Sequence, residues 1–339
     1  MSLSSQPFPF RPASVPAEAV SGIEIVELTG LGPEALEPVW AEERRHWNEW
    51  LYWDSEPATE LVRAAVRRQR LPGRVMLAAG RVVGCGYYLI DRHRAVIGSF
   101  TLTGEARTPV LVATLARSLL AAVESEPEVC RIETQFVPFD LPSLRESFLA
   151  AGFREFERMF LRNDLTSGHE TGSSHVEFQF EPWSASNADH AATLMQQAHL
   201  GSVDAEMNEM YRTREGCRSL LDSIIAQHGC GRLVPAASYV LRRPRAQALS
   251  GFLLTTEIST GHAHLAQVAV SPSAQGLGLG KLLLGRAIEA LARAGYRTVS
   301  LMVSETNQRA LSLYESMGFR PVLDFPVFSW DRLRPGSRS

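Results

Sequence analysis

From Ile23 onward the apolar positions recur with periods of two and of about 3.6 residues in turn, which predicts strands alternating with helices. "IEIVEL" reads as a strand, 33–50 and 56–71 as helical stretches, and "RVMLAA", "VVGCGYYLI" and "AVIGSFTL" as strands. A helix over 109–124, the strand "CRIETQFV", a helix around "LPSLRESFLAAG" and the strand "FREFERMFL" complete the series. The same order then returns: strand "VEFQF", helices over 187–200 and 215–227, strands "ASYVLRR", "ALSGFLLTTEI" and "HLAQVAV", a helix over 276–294, strand "TVSLMV", a helix over 307–317 and strand "FRPVLDF". Between the two series lies "TSGHETGSSH", residues 166–175, whose Gly, Ser and Thr content marks a linker.

The series match in letters as well as in order. "LRESFLAAGFREF" aligns with "ALSLYESMGFRPV", so that Gly152-Phe153 and Gly318-Phe319 stand 166 residues apart. Each glycine suits the left-handed position that ends a helix, and each phenylalanine can pack back on that helix. An internal duplication follows, with an α/β module over 22–165 and a second over 176–334. A length of 339 residues leaves each module room for its own core. Residues 1–21, rich in Pro and Ser, are expected to be disordered.

Composition narrows the function classes. A net charge of −3 gives no overall footprint for nucleic acid or an anionic membrane, and no apolar run reaches the roughly 18 residues of a membrane span. The start lacks the charged and apolar regions of a leader, so a cytoplasmic protein is expected. Cys85, Cys130, Cys217 and Cys230 lack metal-ligand spacing, so no metal site is expected. Of the six tryptophans, Trp47, Trp50 and Trp53 cluster in "HWNEWLYWD", and packing is the expected role for them and for Trp40.

The chemistry concentrates in "SPSAQGLGLGKLLLGRA", residues 271–287. A strand ending near Val270 meets Pro272, three glycines follow at 276, 278 and 280, and an amphipathic helix begins. Helix N-termini present unpaired N–H groups and partial positive charge, and glycines let a ligand approach them. A Walker A loop is excluded, because Gly280-Lys281 is followed by Leu282 and Gln275 stands where the first glycine belongs. The dinucleotide fingerprint G-x-G-x-x-G is not matched either. A purely structural role costs helix propensity, about 1 kcal/mol per glycine. An oxyanion or pyrophosphate cradle remains.

Q-x-x-G-x-G (Gln275, Gly278, Gly280) followed by N-x-x-A-x-x-L-Y-x-x-x-G-F (Asn307, Ala310, Leu313, Tyr314, Gly318, Phe319) resembles the GCN5-related N-acetyltransferase (GNAT) family. The resemblance implies two tandem modules, each a mixed, mostly antiparallel sheet flanked by helices, with acetyl-CoA as co-substrate of the second. It places the pantetheine arm against Val268, Ala269 and Val270. The pyrophosphate falls on the amides from Gln275 through Gly276, Gly278 and Gly280 to Lys281, and Asn307 lies near the cofactor arm. Tyr314 becomes the acid that protonates the departing thiolate. Residue chemistry alone leaves Asn307 open as a helix N-cap and Tyr314 as a core aromatic.

The implied reaction is direct transfer of an acetyl group to a primary amine of a small-molecule acceptor, in a monomer built as an intramolecular pseudo-dimer or in a homodimer. The alternative is a non-catalytic acyl-CoA sensor or interaction module. An amine of ordinary pKa must lose a proton before attack. Family members that acetylate protein N-termini carry Glu five residues before the Asn, where Met302 stands here, and the other common acidic position holds Gln267. His264 is the substitute expected as base, with His262, Glu257 or an ordered water as alternatives. Asp204, Glu206, Glu209 and Tyr211, in the segment that shapes the acceptor site in the family, are expected to attract a cationic amine. The first copy has Leu141 and Phe148 in place of Asn307 and Tyr314, and "TGEARTP" in place of the glycine turn, with Glu105 set to repel a pyrophosphate. One acyl-CoA site per chain is therefore expected.

Overall fold

The structure, a computed structural model, describes residues 22–134, 142–165, 177–226 and 230–332. The segment 1–21, the linker 166–175 and Leu141 lie outside the described residues. In chain order the first series is β1 (Ile23–Glu27), α1 (Pro33–Leu51), α2 (Glu56–Arg67), β2 (Gly73–Ala78), β3 (Arg81–Asp91), β4 (Arg94–Leu102), α3 (Pro109–Glu124), β5 (Arg131–Thr134), α4 (Pro142–Ala150) and β6 (Arg154–Asp164). The second is β7 (Gln179–Pro182), α5 (Ala188–His199), α6 (Val203–Met207), α7 (Arg214–Ala226), β8 (Arg232–Leu233), β9 (Tyr239–Arg242), β10 (Gly251–Ser259), β11 (His262–Val270), α8 (Leu279–Arg293), β12 (Thr298–Ser304), α9 (Gln308–Ser316) and β13 (Arg320–Asp331).

Compactness divides this chain elsewhere than sequence order does. The C-terminal unit comprises Tyr52–Asp54 and Arg158–Asp324, and the N-terminal unit the described parts of Pro7–Leu51, Ser55–Glu157 and Phe325–Ser339. The division falls inside β6 and inside β13, where the modules read from sequence end near 165 and 334. Strand pairing is the reason. From Arg158 onward β6 pairs antiparallel with β12, and from Ser329 to Asp331 β13 pairs with β5. Each repeat's last strand therefore completes the sheet of the other unit. Arg131 seals one of these joints with hydrogen bonds of 2.9 and 2.8 Å to the two oxygens of Asp331.

Within each unit six strands run in the same order, β1-β2-β3-β4-β5-β13 and β7-β9-β10-β11-β12-β6, with β8 added on β10. Only β4 with β5 and β11 with β12 pair in parallel among the registers described; the rest are antiparallel. Helices cover both faces. In the C-terminal unit α8 buries Leu283, Leu284, Ala287, Ile288 and Leu291 in one core, while Ala191, Met195, Leu221 and Ile224 of α5 and α7 fill the other. Each fully buried Leu or Ile contributes about 2 kcal/mol of transfer free energy. Gly295 stands just beyond α8 at φ +82°, as the helix stop.

Identical local geometry marks the duplication. Phe153 N donates to Phe148 O at 3.1 Å after Gly152, and Phe319 N donates to Tyr314 O at 3.0 Å after Gly318. Both glycines have positive φ, +82° and +88°. The ring pairs Phe148–Phe153 and Tyr314–Phe319 are both edge-on, at 5.0 Å and 82° in the first copy and 5.8 Å and 62° in the second.

Candidate active site

The site begins where a sheet opens. β11 pairs in parallel with β12 from His262↔Thr298 to His264↔Ser300, and the register ends there although both strands continue. On its other side β11 stays paired with β10, but Ala266 is an extra residue between Leu265↔Thr255 and Gln267↔Leu254. A bulge of this kind bends its strand and raises the local twist, which carries the end of β11 away from β12. Backbone polar groups on the diverging edge then need partners from outside the sheet. A cavity of about 730 Å³ lies there, walled by Val268, Ala269 and Val270.

The glycine turn closes one end. Gly276 and Gly278 have φ of +85° and +76°, a conformation that other L-residues adopt at a cost of roughly 1–2 kcal/mol. These two residues keep the chain out of the helix, so α8 starts at Leu279 and not at 276. Leu282 N reaches back to Gly278 O at 3.1 Å, which leaves the N–H groups of Leu279, Gly280 and Lys281 without intrahelical acceptors. Gly280 serves packing instead, because a Cβ there would stand 3.0 Å from Leu313 Cδ2, and its absence lets α8 lie close on α9. Gln275, Gly276, Gly278, Gly280 and Lys281 all line the cavity. Arg309 joins them, its guanidinium donating to Gln275 Oε1 at 2.7 Å. Sequence reasoning missed Arg309, which occupies a variable position of the Asn307 motif and carries no signal of its own.

α9 supplies Asn307 and Tyr314, both on the cavity wall. Asn307 Oδ1 accepts from Ala310 N at 3.1 Å and caps the helix, which leaves Nδ2 as its donor. Tyr314 is half-buried, and burial, with Asp204 adding to it and Arg158 opposing, pushes its hydroxyl pKa up to about 12. The phenol therefore stays protonated at neutral pH, as a proton donor must.

The facing wall comes from α5 and α6. Asp204 lines the cavity and accepts a hydrogen bond of 2.7 Å from Ser304 Oγ. Ser304 lies opposite Arg158 in the β12–β6 register, so Arg158 projects from the same face of the sheet. Glu206 is off the cavity wall, and Tyr211 lies behind it, donating to Gln267 Oε1 at 3.3 Å. Of the acceptor residues expected from sequence, the fold brings only Asp204 to the cavity. It adds His199, the last residue of α5, which sequence reasoning missed.

His264, the base expected from sequence, is off the cavity wall and only 5% exposed. Its Nδ1 lies 2.9 Å from Ser300 Oγ, and its ring packs 5.0 Å from Trp53 and 6.0 Å from Phe160. Burial, assisted by Arg158, lowers its pKa to about 3, which makes it a neutral packing group and a poor proton acceptor. His262 is held between Thr298 at 2.8 Å and Arg297 at 2.8 Å, and Glu257 is paired with Arg232. Glu257 lies opposite Ala263 in the β10–β11 register, on the other face of the sheet from His262 and His264, and the bulge at Ala266 breaks the alternation between these histidines and Val268, a shift the sequence leaves undetermined.

The N-terminal unit repeats the frame and fills it. Gly98 is bulged on β4 as Ala266 is on β11, since Tyr88↔Ile97 is followed by Tyr87↔Ser99. There the Tyr87 ring covers the bulge so closely that a Cβ on Gly98 would fall 2.4 Å from it. After β4 comes buried Arg107, bonded through Nε to Leu102 O at 2.8 Å and through NH2 to Glu42 at 2.6 Å. A side-chain ion pair thus stands after the strand where the second copy has its glycine turn.

The model of the acetyltransferase (GNAT) family matches residues 203–319. A mycothiol acetyltransferase of Beutenbergia cavernae is 41% identical over 73 residues, 22% of this chain and 24% of that one. The ribosomal protein bS18 alanine N-acetyltransferase of Escherichia coli is 41% identical over 64 residues, 19% of this chain and 43% of that one. This chain thus matches about a quarter to two fifths of these relatives' lengths. Among solved structures, a GCN5-related N-acetyltransferase from Sphaerobacter thermophilus superposes with a TM-score of 0.65 at 14% identity, covering 95% of this chain and 98% of that one. A tandem GNAT protein from the clavulanic acid biosynthesis pathway gives 0.54 at 16%, covering 92% and 99%. At such identities these two likenesses concern the fold. Among the described residues no helix is long and apolar enough to cross a membrane, and no group of three or more His, Cys, Asp or Glu is placed to hold a metal.

Proposed function

We propose, from the premise that this chain belongs to the acetyltransferase (GNAT) family, that its C-terminal unit transfers an acetyl group from acetyl-CoA to a primary amine of a small molecule. The observation that carries the reading is the opening between β11 and β12, which sets a free strand edge, an unpaired helix N-terminus and a protonated tyrosine along one cavity. These groups fit the parts of acetyl-CoA. The backbone of Val268–Val270 suits the amide-bearing pantetheine arm, and the N–H groups of Leu279–Lys281 with the cations of Lys281 and Arg309 suit the phosphates.

Acetyl-CoA supplies an acyl group already activated as a thioester. The chain's own part is to orient it and to manage charge. N–H groups on the β11 edge stabilise negative charge on the carbonyl oxygen as the amine adds, and Tyr314 returns a proton to the sulfur as it leaves. Holding both reactants in one cleft removes much of the entropic barrier. Asp204 offers a carboxylate to the incoming ammonium.

The test uses the full chain with acetyl-CoA and a panel of alkylamines, amino sugars, polyamines and amino acids, reading free thiol, beside calorimetric titration with CoA. Binding with turnover of at least one amine supports the reading. Binding without any turnover would favour an acyl-CoA sensor, and absence of binding would overturn both.

A further inference from the structure

Neither position that carries a carboxylate base in relatives is acidic here: Met302 stands at one and Gln267, occupied by Tyr211, at the other. His264 is walled off. The proton of the attacking amine therefore needs another acceptor on the cavity wall. The wall contains two such side chains, the carboxylate of Asp204 and the imidazole of His199. Asp204 accepts from Ser304 and is the carboxylate offered to the incoming ammonium, which leaves His199 for the proton.

His199 is fixed by two contacts. Its Nδ1 lies 2.8 Å from Met195 O, and since a carbonyl can only accept, Nδ1 carries the hydrogen. The neutral ring then has its lone pair on Nε2. The ring stacks on Tyr211, with centroids 4.2 Å apart and planes inclined by 21°, which fixes its orientation. Tyr211 is itself held by Gln267 on β11, the strand that forms the opposite wall. The result is a single tautomer in a single plane on the wall of the acyl-transfer cavity, the condition a general base requires.

We propose that His199 is the general base of this site, its Nε2 accepting the proton of the acceptor amine, with Met195 and Tyr211 as positioning groups. The inference rests on the acyl-transfer reading. As the amine nitrogen bonds to the thioester carbonyl carbon it becomes cationic, and its N–H proton passes to Nε2. The C–S bond then breaks, the electron pair leaves on sulfur, and Tyr314 donates the proton that makes the free thiol. The imidazolium and the tyrosinate exchange protons with each other or with water, which restores both groups.

The charged and titratable groups that act on His199 are Asp204 from α6, which favours its protonation, and Arg158 from β6, which opposes it; Tyr211 and Tyr314 are neutral at assay pH. Burial is the largest influence and lowers its pKa below the ordinary 6.5. Arg158 has no hydrogen-bond partner for its buried Nε among the described residues.

The test has two arms on the full chain. Ring NMR of His199, assigned by its loss in His199→Gln, gives a pKa below 6.5 that falls further in Asp204→Asn and rises in Arg158→Gln. The acid limb of kcat/KM, measured with the best amine of the panel, coincides with that pKa and moves with it in each variant. His199→Gln lowers kcat/KM by about a hundredfold or more, abolishes that limb, and leaves CoA affinity within twofold. Full kcat/KM in His199→Gln, or an acid limb that stays in place while the NMR pKa moves, would overturn the assignment while leaving acyl transfer intact. Failure of the wild-type chain to bind CoA or to acetylate any amine would instead overturn the reading beneath it.

Discussion

His264 offers a quantitative test of whether the sequence or the fold identifies its role. In the unfolded chain its pKa is 6.5 and in the folded chain about 3, because burial excludes the imidazolium. Above pH 6.5 both states are neutral and the group has no effect. As pH falls from 6.5 toward 3 the unfolded state binds a proton that the folded state refuses, and stability falls by about 1.4 kcal/mol per pH unit. At pH 5 the loss amounts to about 2 kcal/mol for this one residue. Replacement by Gln changes the baseline stability but removes the slope. Urea unfolding at pH 7.5 and pH 5, followed by tryptophan fluorescence, should show wild type losing about 2 kcal/mol more than His264→Gln over that interval. Trp53 lies 5.0 Å from the ring and reports the relevant unit. The other depressed histidines, His46, His199 and His262, are common to both chains and cancel in the difference. Parallel curves, or a His264→Gln chain that folds fully and transfers no acetyl group, would refute the packing role.

Four further outcomes follow from the site. Tyr314→Phe should lower kcat by one to two orders of magnitude with CoA affinity unchanged in calorimetry, because the ring packing against Phe319 survives. Gly278→Ala forces a side chain into the left-handed region, so CoA affinity and thermal midpoint should both fall, the strain being about 1–2 kcal/mol. Asn307→Ala removes the cap on Ala310 N and should cost about 1 kcal/mol of stability, seen as a lower urea midpoint, while Asn307→Ser restores most of it. Calorimetry should give one CoA per chain; since Tyr87 covers the Gly98 bulge and Arg107 is paired with Glu42, a second equivalent would contradict the filled frame.

The order of elements was legible because each depends on near neighbours in sequence. Periods of two and 3.6 residues, the Gly-Phe stops and the helix before Gly295 all reflect contacts within a few residues; most elements fall within a few positions of their expected bounds, but β13 runs on to Asp331 beyond the expected Phe325, and α6 and β8 were not foreseen. Gln275, Asn307 and Tyr314 were legible for a related reason: a turn and the helix two elements later carry fixed spacings. Errors appear where a partner distant in sequence decides. Helix α8 starts three residues late because the backbone at Gly276 and Gly278 is left-handed. His264 was expected as base from its place on β11, and only the register shows that the bulge at Ala266 breaks the alternation between it and Val268.

By itself, then, the sequence determined that two copies of one α/β frame follow each other and that only the second has the glycine turn, Asn307 and Tyr314. Those features are local, set by backbone propensity and spacing. Tertiary structure alone decided that β6 pairs with β12 and β13 with β5, that the parallel register stops at His264↔Ser300, and that His199, Asp204, Arg309 and Tyr314 meet on one cavity. Hydrogen-bond partners and burial set these outcomes, and the strand pairings among them join residues 36 to 200 positions apart, beyond the reach of any periodic pattern.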